Sequence, residues 1–299
     1  MQRSLEALEL QVQSALSRQD DSELDVVGSG EISPVLRLVA AGKPYAVKRL
    51  PLFASEARLQ GYVETFESYI ATLRDVGIQP LRSTIAIAAR KKNGVVAYCV
   101  QPLIDSESLC VTRLRTMDLT PARRFGAELF GVIAGAVSER VGLDAQLSNW
   151  FVRGESNVAR ELGYLDLTTP LLRDAAGEER LDTELFLASL PAALRPLVRR
   201  FMLSDILANY YDLRSVLRDL LGNLIKEELE QHLDGWLGIA NERVTPELTM
   251  TEVRAHYAED ARTWALLQRL RRADRGWQRY VRRRAYGFLL PGDIQRQID

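Results

Sequence analysis

The pattern of this chain changes once, near Pro102, and that change limits the folds open to it. Ahead of Pro102, short runs with strand periodicity alternate with turn residues. From Thr120 onward apolar residues recur at helical spacing, except in a β-like interval from Trp150 to Asp166. There is no internal repeat and no low-complexity tract. The predicted fold class is α+β: a small antiparallel sheet lobe with one main helix over residues 1–101, and a larger, mostly helical lobe over 102–299.

Within the front part, Arg3 to Arg18 places Leu5, Leu8, Val12 and Leu16 near helical spacing, which predicts an amphipathic helix (3–18) packed on something. Leu24–Val27, Val35–Ala40 and Tyr45–Leu50 read as strands, with Gly42-Lys43-Pro44 as a turn. Ser55 to Val76 reads as a helix with Leu59, Val63, Phe66, Ile70 and Leu73 on one face, stopped by Gly77. Ser83–Ala89 and Val95–Gln101 are strands around Lys91-Lys92-Asn93-Gly94, where Asn-Gly marks a hairpin.

Composition removes several function classes. With 39 Lys+Arg against 40 Asp+Glu the net charge is −1, which argues against a nucleic-acid partner or a polybasic membrane contact. Two cysteines (Cys99, Cys110) and two histidines (His232, His256) cannot build a disulfide framework, a zinc ribbon or a mechanism needing several imidazoles. The longest apolar run, Ala127 to Val137, carries Glu128 and is too short to span a bilayer. No basic-then-apolar leader opens the chain, so the expected location is cytoplasmic.

Four segments could carry chemistry. Gly28-Ser29-Gly30-Glu31-Ile32-Ser33 sits between two strands, where glycines let backbone amides close on phosphate; an ordinary glycine-containing hairpin reads the same. Lys48, one of five lysines, should point opposite Val47 on a half-buried strand, suited to a phosphate clamp or, equally, to water at an edge. Asp144 and Asn149, five apart on a loop after a long apolar helix, can divide proton acceptance from cation binding, or simply form turns. Asp166 ends the following β-like segment, a natural position for a metal ligand or a cap.

In this order the segments resemble the protein-kinase-like superfamily, and within it the aminoglycoside-phosphotransferase-like branch. Gly28-x-Gly30-x-x-Ser33-x-Val35 is similar to the glycine loop, Ala46-Val47-Lys48 to the lysine strand, and Tyr98 to Ile104 to the last small-lobe strand and hinge. Asp144 to Asn149 has the catalytic-loop spacing, and Tyr164-Leu165-Asp166 resembles the metal-binding strand end. The resemblance spans residues 25–170.

The resemblance implies a bilobal kinase-like fold using ATP and Mg²⁺. Lys48 would hold the α/β-phosphates and be fixed by a helix glutamate, Glu67 in preference to Glu64. Asp144 would be the catalytic base or hydroxyl-orienting residue of the loop 142–150, and Asn149 and Asp166 would ligate Mg²⁺. Gly28, Ser29, Gly30 and Ser33 would cover the phosphates, with Gln101 and Leu103 at the adenine. Departures from the pattern are Gly142 and Leu143, where a supporting imidazole is usual, Thr168 in place of a glycine, and a longer interval through Arg153 to Leu162.

Further on, Arg195 to Leu221 reads as helical lobe core. The tail from Arg269 to Arg284 interleaves eight arginines with Trp277 and Tyr280, either a basic face near the cleft or a solvated helix. His232 and His256 read as surface or packing residues. The expected activity is transfer of the ATP γ-phosphate to a hydroxyl of a small molecule or of Ser/Thr in a biosynthetic peptide, with biosynthetic partner proteins in the latter case. The alternative is a kinase-fold module that binds nucleotide or a partner without turnover.

Overall fold

The computed structural model describes residues 1–299 apart from 19, 30–32, 154–160, 189, 192–193, 282 and 284–299. Gly30 of the glycine loop, most of the long interval after Arg153, and Arg282 and Arg284 of the tail lie outside the described residues.

Five antiparallel strands form the front sheet: β1 (Val26–Ser29), β2 (Pro34–Ala40), β3 (Lys43–Arg49), β5 (Thr84–Lys91) and β6 (Gly94–Pro102), in the order β1-β2-β3-β6-β5. Alternation on β3 sends Val47 to one face and Lys48 to the other. The Val47 face is covered by α1 (Gln2–Arg18), whose Leu5, Leu8, Val12 and Leu16 pack on Leu36, Leu38, Val96 and Tyr98.

One charge is buried in that contact. Glu9 is 3% exposed, and its carboxylate accepts from Arg49 Nε (3.0 Å) and Nη2 (3.1 Å), from the Tyr98 hydroxyl (2.7 Å) and from Gln13 (2.6 Å), with Lys91 Nζ at 3.3 Å. A buried carboxylate this well supplied with donors is stable where an unpaired one would not be. It pins α1 to the strand that carries Lys48.

Between β3 and β5 runs α2 (Glu56–Asp75), followed by the short β4 (Gln79–Pro80). Ser55 caps α2 by accepting from the Arg58 amide (3.2 Å), and the chain leaves it at Gly77, whose φ of +91° suits a residue without Cβ. The buried face of α2 carries Leu59, Tyr62, Thr65, Phe66, Tyr69, Ile70 and Leu73. β4 pairs in parallel with β8 (Glu161–Tyr164), which pairs antiparallel with β7 (Trp150–Arg153). The end of α2 is thereby tied to the strand leading into Asp166, with the Leu81 amide donating to Tyr164 O at 2.8 Å.

The rest is helical: α3 (Cys110–Arg115), α4 (Leu119–Ala136), α5 (Thr183–Ala188), α6 (Arg195–Phe201), α7 (Leu203–Ala208), α8 (Leu213–Lys226), α9 (Leu233–Asn241) and α10 (Met250–Tyr280). The helical stretch expected from Arg195 to Leu221 is broken into three pieces, the last starting where Asp212 accepts from the Ser215 amide (2.8 Å). One apolar core runs without a break from Ala97 and Cys99 of the sheet, through α2, to Phe130, Trp150, Leu220 and Trp236 behind it. No described helix is long and apolar enough to cross a membrane. An antiparallel sheet lobe with one principal helix, set on a larger helical lobe, is the bilobal protein-kinase-like plan.

Candidate active site

The two lobes meet at Lys48. Its Nζ donates to Asp166 Oδ1 at 3.3 Å and to Thr168 Oγ1 at 2.7 Å, across 118 and 120 residues of chain. Both side chains of the Lys48–Asp166 pair keep 24% of their surface exposed, so the contact borders the cleft. Burial alone would raise the Asp166 carboxyl. The Lys48 ammonium and the hydroxyl and amide of Thr168 outweigh it and hold the carboxyl below the usual aspartate range. A cavity of about 60 Å³ opens here, bordered by Ser33, Lys48, Tyr62 and Thr168.

Around the Asp144 loop the polar contacts converge. Asn149 Nδ2 donates back to Asp144 O (3.1 Å), the Tyr164 hydroxyl donates to the same carbonyl (3.0 Å), and the Gln146 amide donates to Asp144 Oδ1 (3.3 Å). The Trp150 indole donates to Ala145 O (3.2 Å), and Asn223 Oδ1 accepts from the Leu147 amide (2.8 Å). Asn149 O accepts from the Leu165 amide at 2.8 Å, which joins the loop to the residue preceding Asp166. Lys48, Asp144, Asn149 and Asp166 are thus brought into one hydrogen-bonded neighbourhood.

The start of this loop is braced from α2. Tyr69 on α2 donates its hydroxyl to Gly142 O (2.9 Å). Burial, followed by the charges of Asp166 and Asp144, pushes the Tyr69 phenol well up, so it remains a donor. Gly142 has no room for a larger residue: a Cβ there would lie 2.9 Å from Leu171 Cβ and 3.1 Å from the Tyr211 ring. No motif marks Tyr69 in the sequence; its signal is the aromatic stripe Tyr62, Phe66, Tyr69 along α2.

The glutamate expectation is corrected. Glu67 and Glu64 are both exposed, and Glu64 accepts from Gln60 Nε2 on the helix surface (3.2 Å). Helical phase turns Tyr62 inward instead, and its hydroxyl donates to Thr168 O at 3.0 Å. Lys48 takes Asp166 and Thr168 as its partners.

At the glycine loop, Gly28 and Ser29 lie on β1, and Ser33 Oγ donates to Arg49 O at 3.4 Å. At the hinge, Gln101 Nε2 donates to Ser83 Oγ (2.9 Å) and to Leu165 O (2.8 Å), bridging the lobes, and the Leu103 amide donates to Pro44 O at a long 3.4 Å. Cys99, opposite Lys48 on β6, is buried and its thiol is pushed up to about 12 by desolvation, so it is no nucleophile. His232 packs with Nε2 3.1 Å from Leu114 O.

Beside the loop, Leu143, Ala145 and Gln146 border a second cavity of about 150 Å³. Asn209, Ser215 and Arg218, Asp219, His256 and Asp260 line it from α8, α10 and the turn after α7. His256 Nε2 lies 3.4 Å from Asp219 Oδ1, and Arg218 Nε is buried without a hydrogen-bond partner. Among the described residues no group of three or more His, Cys, Asp or Glu side chains forms a metal cage. Asp166 and Asn149 offer oxygen donors only, which fits Mg²⁺, a hard cation held through one or two carboxylates together with substrate phosphates.

The fold is a mixed α+β one, an antiparallel sheet lobe on a helical lobe, with the Lys48–Asp166 pair joining the two. The chain belongs to DUF6206, a family of unknown function, whose model matches residues 7–275. No curated protein matches it. Among solved structures it is similar to WaaP in complex with acyl carrier protein, at 17% identity and a TM-score of 0.36, over 72% of this chain and 90% of that one.

Proposed function

We propose that this protein is an ATP-dependent phosphotransferase that moves the γ-phosphate to a hydroxyl group. The observation that carries the reading is the Lys48–Asp166 contact, 3.3 Å across 118 residues, beside a loop whose Asp144 carbonyl accepts from Asn149 and Tyr164. Phosphoryl transfer asks little covalent chemistry of the protein and much positioning and charge stabilisation. Lys48, partly buried at the cleft, supplies a compact positive charge for triphosphate oxygens. Mg²⁺ carried with the nucleotide would be held by Asp166 and Asn149 and would neutralise charge on the phosphates.

Asp144 accepts the hydrogen bond of the acceptor hydroxyl and aligns its oxygen. Its backbone is fixed beforehand by Asn149 and Tyr164, so little reorganisation is needed at the moment of reaction. The 150 Å³ cavity bordered by Leu143 and Ala145, the chain neighbours of Asp144, is the seat we assign to the acceptor. A volume of that order takes one ring-sized group, which favours a compact molecule or a single side chain of a peptide. Its acids, bases and amides suit an acceptor that both donates and accepts hydrogen bonds.

The test is Mg²⁺-dependent ADP release against a panel of hydroxyl compounds, with ATP affinity measured in parallel. Asp144→Ala should abolish release while ATP binding largely survives. Nucleotide binding without release from any acceptor would make the protein a binding module instead, and unchanged release in the variant would take the catalytic role away from Asp144.

A further inference from the structure

Thr168 stands where the kinase-like pattern has a glycine, and hydrogen bonds tie it to Lys48, Asp166 and Tyr62. Its Oγ1 accepts from Lys48 Nζ (2.7 Å) and donates to Asp166 Oδ1 (2.8 Å), and its amide donates to the same oxygen (3.2 Å). Lys48 adds a third bond to Oδ1 (3.3 Å). Three donors therefore converge on one carboxylate oxygen, and Oδ2 receives no hydrogen bond among the described residues. The carbonyl of Thr168 is held in turn by the Tyr62 hydroxyl (3.0 Å).

Resting on the phosphotransferase reading, we infer that Thr168 is the positioning residue that replaces the helix glutamate. A lysine on a four-carbon stem needs a fixed partner to present its charge at one place. With Glu64 and Glu67 on the exposed face of α2, no helix carboxylate fills that role. The Thr168 hydroxyl does so, and the same hydroxyl turns Asp166 so that Oδ2 is left for a cation. A glycine at 168 would keep the amide bond to Oδ1 and lose both hydroxyl contacts. A single hydroxyl thus couples the placement of the phosphate-facing ammonium to the orientation of the cation-facing oxygen.

The experiment is calorimetric titration of the whole chain with ATP, in the presence and absence of Mg²⁺, for the natural protein and for Thr168→Val, Thr168→Ala and Thr168→Ser. Thr168→Val and Thr168→Ala should weaken Mg·ATP binding roughly ten- to a hundredfold, the range for one hydrogen bond to a charged group. They should weaken Mg²⁺-free ATP binding less, because the orientation of Asp166 matters only when a cation is present. Thr168→Ser, which keeps the hydroxyl, should bind within about threefold of the natural protein, inside the spread of such measurements. The alanine variant keeps the test decisive if valine disturbs folding by crowding Tyr62. Equal binding in all four proteins, with Asp166→Asn impaired, would overturn the role of Thr168 and leave the phosphotransferase reading standing. No binding of Mg·ATP to the natural protein would overturn both.

Discussion

Tyr69 on α2 and Gly142 at the start of the Asp144 loop are joined by a buried hydrogen bond of 2.9 Å, hydroxyl to carbonyl. Through it the principal helix of the sheet lobe grips a loop of the helical lobe. Tyr69→Phe removes the donor and leaves Gly142 O buried and unpaired. The expected cost is about 1–3 kcal/mol, read as a lower urea midpoint at unchanged slope. Phosphate transfer should fall by more than ATP affinity does.

Glu9 anchors α1 to the sheet by charge. Burial raises its carboxyl, but the hydrogen bonds and charge of Arg49, with Tyr98 and Gln13, outweigh that and bring it below the usual glutamate range. A depressed folded pKa contributes stability that is complete above the unfolded value, about 4.3, and is lost as pH falls through the folded value. Glu9→Gln should lower stability at neutral pH by about 3 kcal/mol, as for one partner of a buried pair. Urea midpoints of the two proteins should converge as pH drops below the glutamate range.

Much of this geometry was legible in the sequence. The alternation Ala46-Val47-Lys48 decides which face of β3 the lysine takes, Gly77 ends α2, and Asn93-Gly94 closes the β5–β6 hairpin. The lysine's partner was not, because it depends on helical phase. Leu59, Phe66, Ile70 and Leu73 of the expected face are buried, with Val63 half-buried against the core, but Tyr62 and Tyr69 extend that face toward the cleft while Glu64 and Glu67 fall on the exposed side. Glu9 was obscured differently: it falls between Leu5, Leu8 and Val12 on the apolar face, yet its donors come from β3, β5 and β6. No local pattern announces partners 40 and 89 residues away.

The phase correction has its own consequence. Glu67→Ala should leave stability within about 0.5 kcal/mol, the usual range for an exposed substitution, and ATP affinity unaltered by calorimetry. A marked loss of ATP affinity would restore the lysine–glutamate pair.

The cavity beside Gln146 should be separable from the nucleotide site. Asn209→Trp would fill it with an indole. Hydroxyl compounds that raise the melting temperature of the natural protein, as ligands binding the folded state do, should lose that effect in the variant. The shift produced by Mg·ATP should persist. Equal shifts from the hydroxyl compounds in both proteins would place the acceptor elsewhere.

We propose that Lys48 and Asp166, 3.3 Å apart, bracket a triphosphate and its cation. The decisive measurement is calorimetric titration of ATP with Mg²⁺ into the natural protein, Lys48→Met and Asp166→Asn. Saturable binding to the natural protein, a large loss in Lys48→Met, and loss of the Mg²⁺ dependence in Asp166→Asn are expected. Absence of binding to the natural protein, or binding that neither substitution alters, would contradict it.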